Sequence, residues 1–409
     1  MSDGMTKHNR TTSTRALTGR KLAGVGLAVT ALMAPAVALA PPAAAQPAVA
    51  NCGTSTGDTG TSAWTSHAEL GKELQRLESQ RSGVLDVTRI GTSNRGRDIW
   101  AARTGTGPKV VLVTSEIHGN EKTGTEAVLS LLRTATADTP AARRLRSQVT
   151  LVAVPKMNPD AAELDRRGND RTWAEVVADF PQLAGARPSW NYYTRPQQGD
   201  DYSTRPGFDV NRDYHPDLNY VPRAADFPGS SAGPGWYINP ESQAVRDLYK
   251  SLKAEFGAVD SYIDLHHQAP CYLDENGDAL VTMSLSGKFV DVDKHQQYNR
   301  GYRLDYSKQL TLAAYDTLSG YGQSPFGSLT LYPQDIDLPG TGLGAFALNG
   351  SGTVLFEVRG QTQTWGARQR GQLVKTVEHG LTGIIEAVGS GAAHQIDPDR
   401  YDDIPETAR

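Results

Sequence analysis

The chain predicts an α/β fold: a single domain with a central mixed, largely parallel sheet covered by helices on both faces. Three observations carry this. Apolar runs at residues 110–113, 149–154, 259–265 and 353–358 have the length and β-branched content of strands buried on both sides. Helical patterns separate them, the alternation that builds a parallel sheet between helical layers. With 409 residues, 38% of them apolar, the chain can bury one large core.

Taken in order, the first element is an export signal over residues 1–45. Arg10, Arg15, Arg20 and Lys21 precede an apolar stretch at 22–40, and small-residue sites follow before Gln46. Residues 46–65 form a flexible lead-in rich in Gly, Thr and Ser. Ser66 and Glu69 make a capping box that opens a helix with Leu70, Leu74 and Leu77 on one face. Residues 84–105 read as two short strands around a turn at 92–96. A strand at 110–113, a helix at 123–133 and a strand at 149–154 come next. Residues 169–235, rich in Tyr, Pro, Gly and Asp, lack periodicity and read as elaborated loop rather than core. Asn239-Pro240-Glu241 starts a helix whose face continues through Val245, Leu248, Leu252 and Phe256. Strands at 259–265 and 279–285, a helix at 302–318, a strand at 353–358 and a closing helix at 373–388 complete the domain. It is assigned residues 66–390. The polar tail, 391–409, is expected to fray.

Charge and cysteine content narrow the function. Loss of residues 1–45 removes Lys7, Arg10, Arg15, Arg20 and Lys21 against Asp3, which moves the formal charge from −4 to −8. Such an acidic protein is a poor partner for nucleic acid. Beyond the first fifty residues no apolar run is long enough to span a membrane, so no membrane association is expected after signal removal. Cys52 and Cys271 are the only cysteines, which in an oxidising compartment suggests one disulfide. The expected location is extracellular.

Four constellations carry chemistry. His118 and Glu121, three apart just past an apolar strand, can put an imidazole nitrogen and a carboxylate on one metal ion. Alone the pair is common. Asp264-Leu265-His266-His267 ends another apolar strand, and ligands gather at the carboxyl ends of strands in such sheets. Adjacent strand residues face opposite ways, so only one of His266 and His267 can join His118. Two histidines and one carboxylate leave a position open for water, the pattern of a catalytic zinc site. Glu357 lies inside an apolar strand, where a carboxylate needs a partner or a task; general base is the functional reading and an ion pair with Arg359 the structural one. Asn211-Arg212 offers an amide and a guanidinium fork suited to a carboxylate.

At these residues the chain resembles the zinc metallocarboxypeptidase family, from about Ser66 to about Ala387. The stretches occur in the family's order: Gly91-Thr92-Ser93 with Gly96-Arg97, His118 to Glu121, Asn158-Pro159-Asp160, Gly207 to Arg212, Pro240-Glu241, Asp264-Leu265-His266 and Phe356 to Arg359. The resemblance implies one zinc ion per chain held by His118, Glu121 and His266. It implies Glu357 as general base and Asn211 with Arg212 as the grip on a substrate's terminal carboxylate. Arg167 best matches the arginine that stabilises the oxyanion, with Arg166 and Arg171 close by, and Tyr332 matches the tyrosine that closes over substrate. The implied substrate is a peptide or protein with a free C-terminus.

Departures from the pattern are Ala161, where the family usually has Gly, and an apparent insertion over residues 170–206. The segment from Tyr332 to Glu357 carries no recognisable specificity signature. An alternative keeps the metal site but acts on cell-wall peptides or acylated amino acids. A serine-hydrolase reading of Gly229-Ser230-Ser231-Ala232-Gly233 needs a strand before it and a helix after, and Pro228 and Pro234 argue against both. His67, His215, His295, His379 and His394 read as surface or packing residues.

Overall fold

The computed structural model describes residues 52, 61–273, 280–321, 328–360 and 366–407. The expected export segment and most of the lead-in lie outside the described residues. α1 (His67–Gln80) begins at the capping box, with Ser66 and Glu69 bonding reciprocally and Leu70, Leu74 and Leu77 buried. β1 (Leu85–Thr92) and β2 (Asp98–Thr104) form the expected hairpin. β3 (Lys109–Ser115), α2 (Thr123–Ala135), α3 (Pro140–Gln148), β4 (Val149–Val154) and α4 (Pro159–Leu164) follow. Next come α5 (Trp173–Asp179), the short strands β5 (Tyr192–Tyr193) and β6 (Gly207–Phe208), and α6 (Pro240–Phe256). β7 (Ser261–Gln268), β8 (Val281–Ser286), α7 (Leu304–Gly320), β9 (Ser328–Leu331), α8 (Gly342–Leu348), β10 (Gly352–Arg359) and α9 (Gly366–Ser390) complete the order.

One sheet runs β1-β2-β4-β3-β7-β10-β8-β9. Its centre, β4, β3, β7 and β10, is parallel, and antiparallel neighbours flank it on both sides. Alternate residues feed two cores. Val111 and Val113 pack with α2, α7 and α9 on one face, while Val110 and Leu112 pack with α6 and α8 on the other. That double burial is why these strands are continuously apolar. Among the described residues no helix is long and apolar enough to cross a membrane.

The chain passes from β3 to β4 on one side of β3, then to β7 on the other. The order reverses there, so the carboxyl ends of β3 and β7 border a crevice open to a ligand.

Two expectations are corrected. The stretch 169–235 is not bare loop: it holds α5, and its Val176, Leu183 and Phe208 form a small core with Trp236 and Ile238 just beyond it. Its capping box, Thr172 with Glu175, was present in the sequence. Nor does the described part of the tail, residues 391–407, fray. Tyr401 and Ile404 pack on Leu312 and Leu331, and the amide of Leu331 donates to Pro405 O at 2.7 Å. The tail thereby covers the outer edge of β9, which would otherwise offer unpaired backbone groups.

Candidate metal centre and substrate cleft

Each ligand position follows from a local constraint. Glu116 leaves β3 with φ of 52°, a left-handed backbone seldom adopted by a residue with a side chain. Its buried carboxylate is held by Lys156 Nζ at 2.7 Å and also accepts from the Thr125 hydroxyl. Lys122 Nζ donates to the carbonyls of Gly119 and Ala162. Gly119 passes so close to α4 that a Cβ there would lie 1.9 Å from the Ala161 carbonyl carbon. The loop is thus fixed from three directions, and a tight turn from His118 O to Glu121 N, 3.1 Å, brings both side chains to one side.

His266 arrives from β7, directly opposite Glu357 in the parallel register with β10. His118 Nδ1 lies 2.8 Å from Glu121 Oε1, His266 Nδ1 lies 2.8 Å from Glu121 Oε2, and the two Nδ1 atoms are 3.2 Å apart. Zinc bonds of 2.0–2.1 Å in a tetrahedron set neighbouring donors about 3.3 Å apart, so this trio fits zinc with little adjustment. It is the group of metal-binding side chains found among the described residues. The far ring nitrogens face carboxylates: His118 Nε2 is 3.4 Å from Asp209 Oδ1 and His266 Nε2 is 3.1 Å from Asp264 Oδ2. Such partners orient the rings and raise their basicity toward a metal.

The open choice between adjacent histidines resolves physically. His267 turns the other way, and its Nε2 accepts from the amide of Thr123 at the start of α2. Burial holds its pKa down to about 4 against the pull of Glu121, so the ring is neutral and serves as a helix cap.

The three candidate arginines also separate. Arg166 spends its guanidinium on the carbonyls of Gly168, Asn169 and Arg205, and Arg171 on Ile238 O and Asp179. Arg167 alone of the three lines the cleft, with Nη1 3.3 Å from His118 Nδ1 and Nε 2.9 Å from Asp209 Oδ2. Burial opposes its charge, but Asp209 and Glu121 outweigh this and raise its pKa. Burial alone would likewise raise Asp209, yet Arg167 and Arg212 hold it well below the usual carboxylate range.

His118, Glu121, His266, Arg167, Asn211, Arg212, Tyr332 and Glu357 all line one cavity of about 380 Å³. The structure therefore brings every expected site residue together. Two that sequence reasoning passed over are Asp209 and Asp264, both buried beside ligand rings. A signal existed for Asp264, which lies two residues from His266 and so on the same strand face. Cys52 is joined to Cys271 and also borders the cavity. Ser230 and Ser231 are exposed and do not line it, which leaves the serine-hydrolase pattern without a site.

The zinc carboxypeptidase family pattern matches residues 70–333. A zinc carboxypeptidase of Saccharothrix mutabilis subsp. capreolus is 25% identical over 150 residues, 34% of this chain and 35% of that protein. The matched stretch is thus about a third of that relative's length. The crystal structure of carboxypeptidase A from Helicoverpa armigera superposes with a TM-score of 0.54 at 16% identity, covering 80% of this chain and 74% of that one. Bovine thrombin-activatable fibrinolysis inhibitor, solved with a tick carboxypeptidase inhibitor, gives 0.54 at 13% identity, covering 80% and 98%. At such identities the structural likeness speaks for the fold. The family pattern, spanning most of the sheet and both halves of the metal centre, shows that the chain belongs to the zinc carboxypeptidase family, for whose zinc His118, Glu121 and His266 form the candidate site.

Proposed function

We propose that this protein is an exported carboxypeptidase that removes the last residue of peptides with a free C-terminus. The observation that carries the reading is the meeting of His118, Glu121 and His266 with Glu357, Arg167 and the two carboxylate-binding groups, Asn211 and Arg212, in one small cavity. Zinc bound there would supply a Lewis acid that acidifies water and polarises a carbonyl. Glu357, opposite His266 across the β7–β10 ladder, accepts the water's proton and returns it to the leaving amine. Arg167 donates to the carbonyl oxygen as charge develops there, a role typically worth roughly 3–4 kcal/mol. Asn211 and Arg212 hold the terminal carboxylate, which sets cleavage at the final peptide bond. Tyr332, at the cleft wall, covers the bound residue.

Two observations support export: the basic-then-apolar start of the sequence and the joined pair Cys52–Cys271, which persists in oxidising compartments. The catalytic domain is taken as residues 66–390.

One experiment tests the reading. A peptide is supplied with its C-terminus free or amidated, to the native protein and to Glu357→Gln. Release of the terminal residue from the free form only is expected, and the variant should keep its zinc while losing turnover by about 10²–10⁴-fold. Equal cleavage of the amidated peptide, or a variant near full rate, would overturn it.

A further inference from the structure

We infer that the cleft selects peptides ending in a medium-sized apolar residue such as Leu or Phe, and rejects those ending in Lys, Arg, Asp or Glu. The inference rests on the carboxypeptidase reading and concerns the side chain of the residue to be released.

The cavity has two chemically distinct ends. One holds the metal ligands, Arg167, Arg212 and Glu357. The other is walled by Phe289, Leu338, Leu343 and Leu355, with Thr341 between them. Leu355 lies two residues before Glu357 on β10, so both side chains emerge on one face with Leu355 a pleat deeper. Leu343 opens α8. Phe289, Leu343 and Leu355 belong to one buried core, which makes the floor rigid, and Leu338 N donates to Phe289 O at 2.8 Å, locking the two walls together.

The carboxylate grip sits beside this floor. Asn211 Oδ1 accepts from the amide of Gly342 at 3.3 Å, one residue before Leu343. A terminal carboxylate held by Asn211 and Arg212 therefore leaves its own side chain facing Leu343 and Leu355.

Thr341 is the polar side chain among them, and its hydroxyl is committed. It donates to Leu338 O at 2.8 Å and accepts from Gly344 N at 3.0 Å, as the N-cap of α8. Among the described residues lining the cavity the carboxylates are Glu121 and Glu357, both at the metal end. A cationic side chain entering the apolar end would shed its water and meet no counter-charge. An acidic one would do the same. The volume of about 380 Å³ lies near the lower end of ligand pockets, roughly 300–1,000 Å³, which suits one residue rather than a folded chain.

The test uses the zinc-loaded protein and four peptides alike except for a C-terminal Leu, Phe, Lys or Asp, each with a free carboxylate. kcat/KM for Leu and Phe should exceed that for Lys and Asp by about 100-fold or more. Leu343→Asp should raise the rate on the Lys peptide relative to the Leu peptide. Should that variant not fold, Leu343→Ala serves instead, and its enlarged floor should shift the Phe-to-Leu ratio upward several-fold. Equal rates on all four peptides, or a preference for Lys, would overturn the specificity while leaving the carboxypeptidase reading intact. An unchanged Phe-to-Leu ratio in Leu343→Ala would remove Leu343 from the floor. Release of no residue from any of the four would overturn both the specificity and the reading beneath it.

Discussion

The cleft joins two regions built on different principles. His266 and Glu357 stand on neighbouring parallel strands, where the backbone ladder fixes their register and apolar side chains fill both faces. Asn211, Arg212 and Arg167 come from the stretch between α4 and α6, whose turns are held by buried polar side chains as well as by backbone bonds. Asn169 Oδ1 accepts from the amides of Phe208 and Arg171, and Asp209 Oδ1 accepts from Asn211. In the strands each buried Val or Leu contributes roughly 1.5–3 kcal/mol, spread over many contacts. In the loop region a hydrogen bond contributes roughly 1 kcal/mol net, yet a buried partner left unsatisfied costs more than that. The metal half should therefore tolerate single changes near it better than the substrate-binding half.

The strongest attempt to break this contrast is Asp213→Ala. The Asp213 carboxylate accepts from Ile238 N, Asn239 N, Asn239 Nδ2 and Ser242 Oγ, and so fixes the chain where it enters α6. Burial pushes its carboxyl above the usual range even so. The variant trades that cost for three buried donors without an acceptor, since Ser242 Oγ also donates to Asn239 O at 2.9 Å. A loss of about 3–4 kcal/mol is expected by urea unfolding. A loss below about 1 kcal/mol would show that the loop region is not held by its buried polar groups.

Glu241→Gln sharpens the comparison through pH. Glu241, in the first turn of α6, accepts from Asn94 N and Asn169 Nδ2, and burial followed by the nearby Asp160 raises its pKa to about 7 from an ordinary 4.5. A raised folded-state value means that folding favours the protonated form. Its stabilising share is complete below pH 4.5 and is lost as pH climbs toward 7. The shift corresponds to about 3 kcal/mol. Relative to the parent, Glu241→Gln should gain about that much at pH 8 and little at pH 4.5, read as the difference in unfolding free energy. Parallel pH dependence in the two proteins would mean that Glu241 is charged and satisfied throughout.

The same division explains what the sequence disclosed. Strand runs such as residues 149–154 announce themselves because double burial demands unbroken apolar residues. The ligand histidines were found because they end such runs. α8 was missed because its seven residues, Gly342–Leu348, are buried all round and show no polar face to set a period. The loop region was opaque for another reason. Its order comes from buried Asp209, Asp213 and Asn169, whose partners lie far along the chain or on the backbone, and no local spacing encodes that. The choice of Arg167 over Arg166 and Arg171 belongs here too, since it turns on which carbonyls each guanidinium reaches. The tail misled because Tyr401 and Ile404 are two apolar residues in a polar stretch, and their burial depends on the edge of β9.

Asp209 is where the two regions meet, and Asp209→Asn is the finest test of whether they act as one. Its Oδ1 accepts from Asn211 N at 2.9 Å and faces His118 Nε2 at 3.4 Å, while Oδ2 accepts from Arg167 Nε at 2.9 Å. One carboxylate thus orients a metal ligand, the candidate oxyanion arginine and the substrate grip. The amide keeps the shape but removes the charge and places an NH₂ against a group that is itself a donor. Zinc affinity should fall by about 10–100-fold in a chelator competition. If the regions are coupled through this residue, kcat/KM measured at saturating zinc should fall as well, because Arg167 loses its anchor however full the metal site is. A variant whose rate recovers completely with added zinc would confine Asp209 to the metal half. The contrast between ladder-held and side-chain-held residues would then be a boundary that the chemistry crosses only through the substrate.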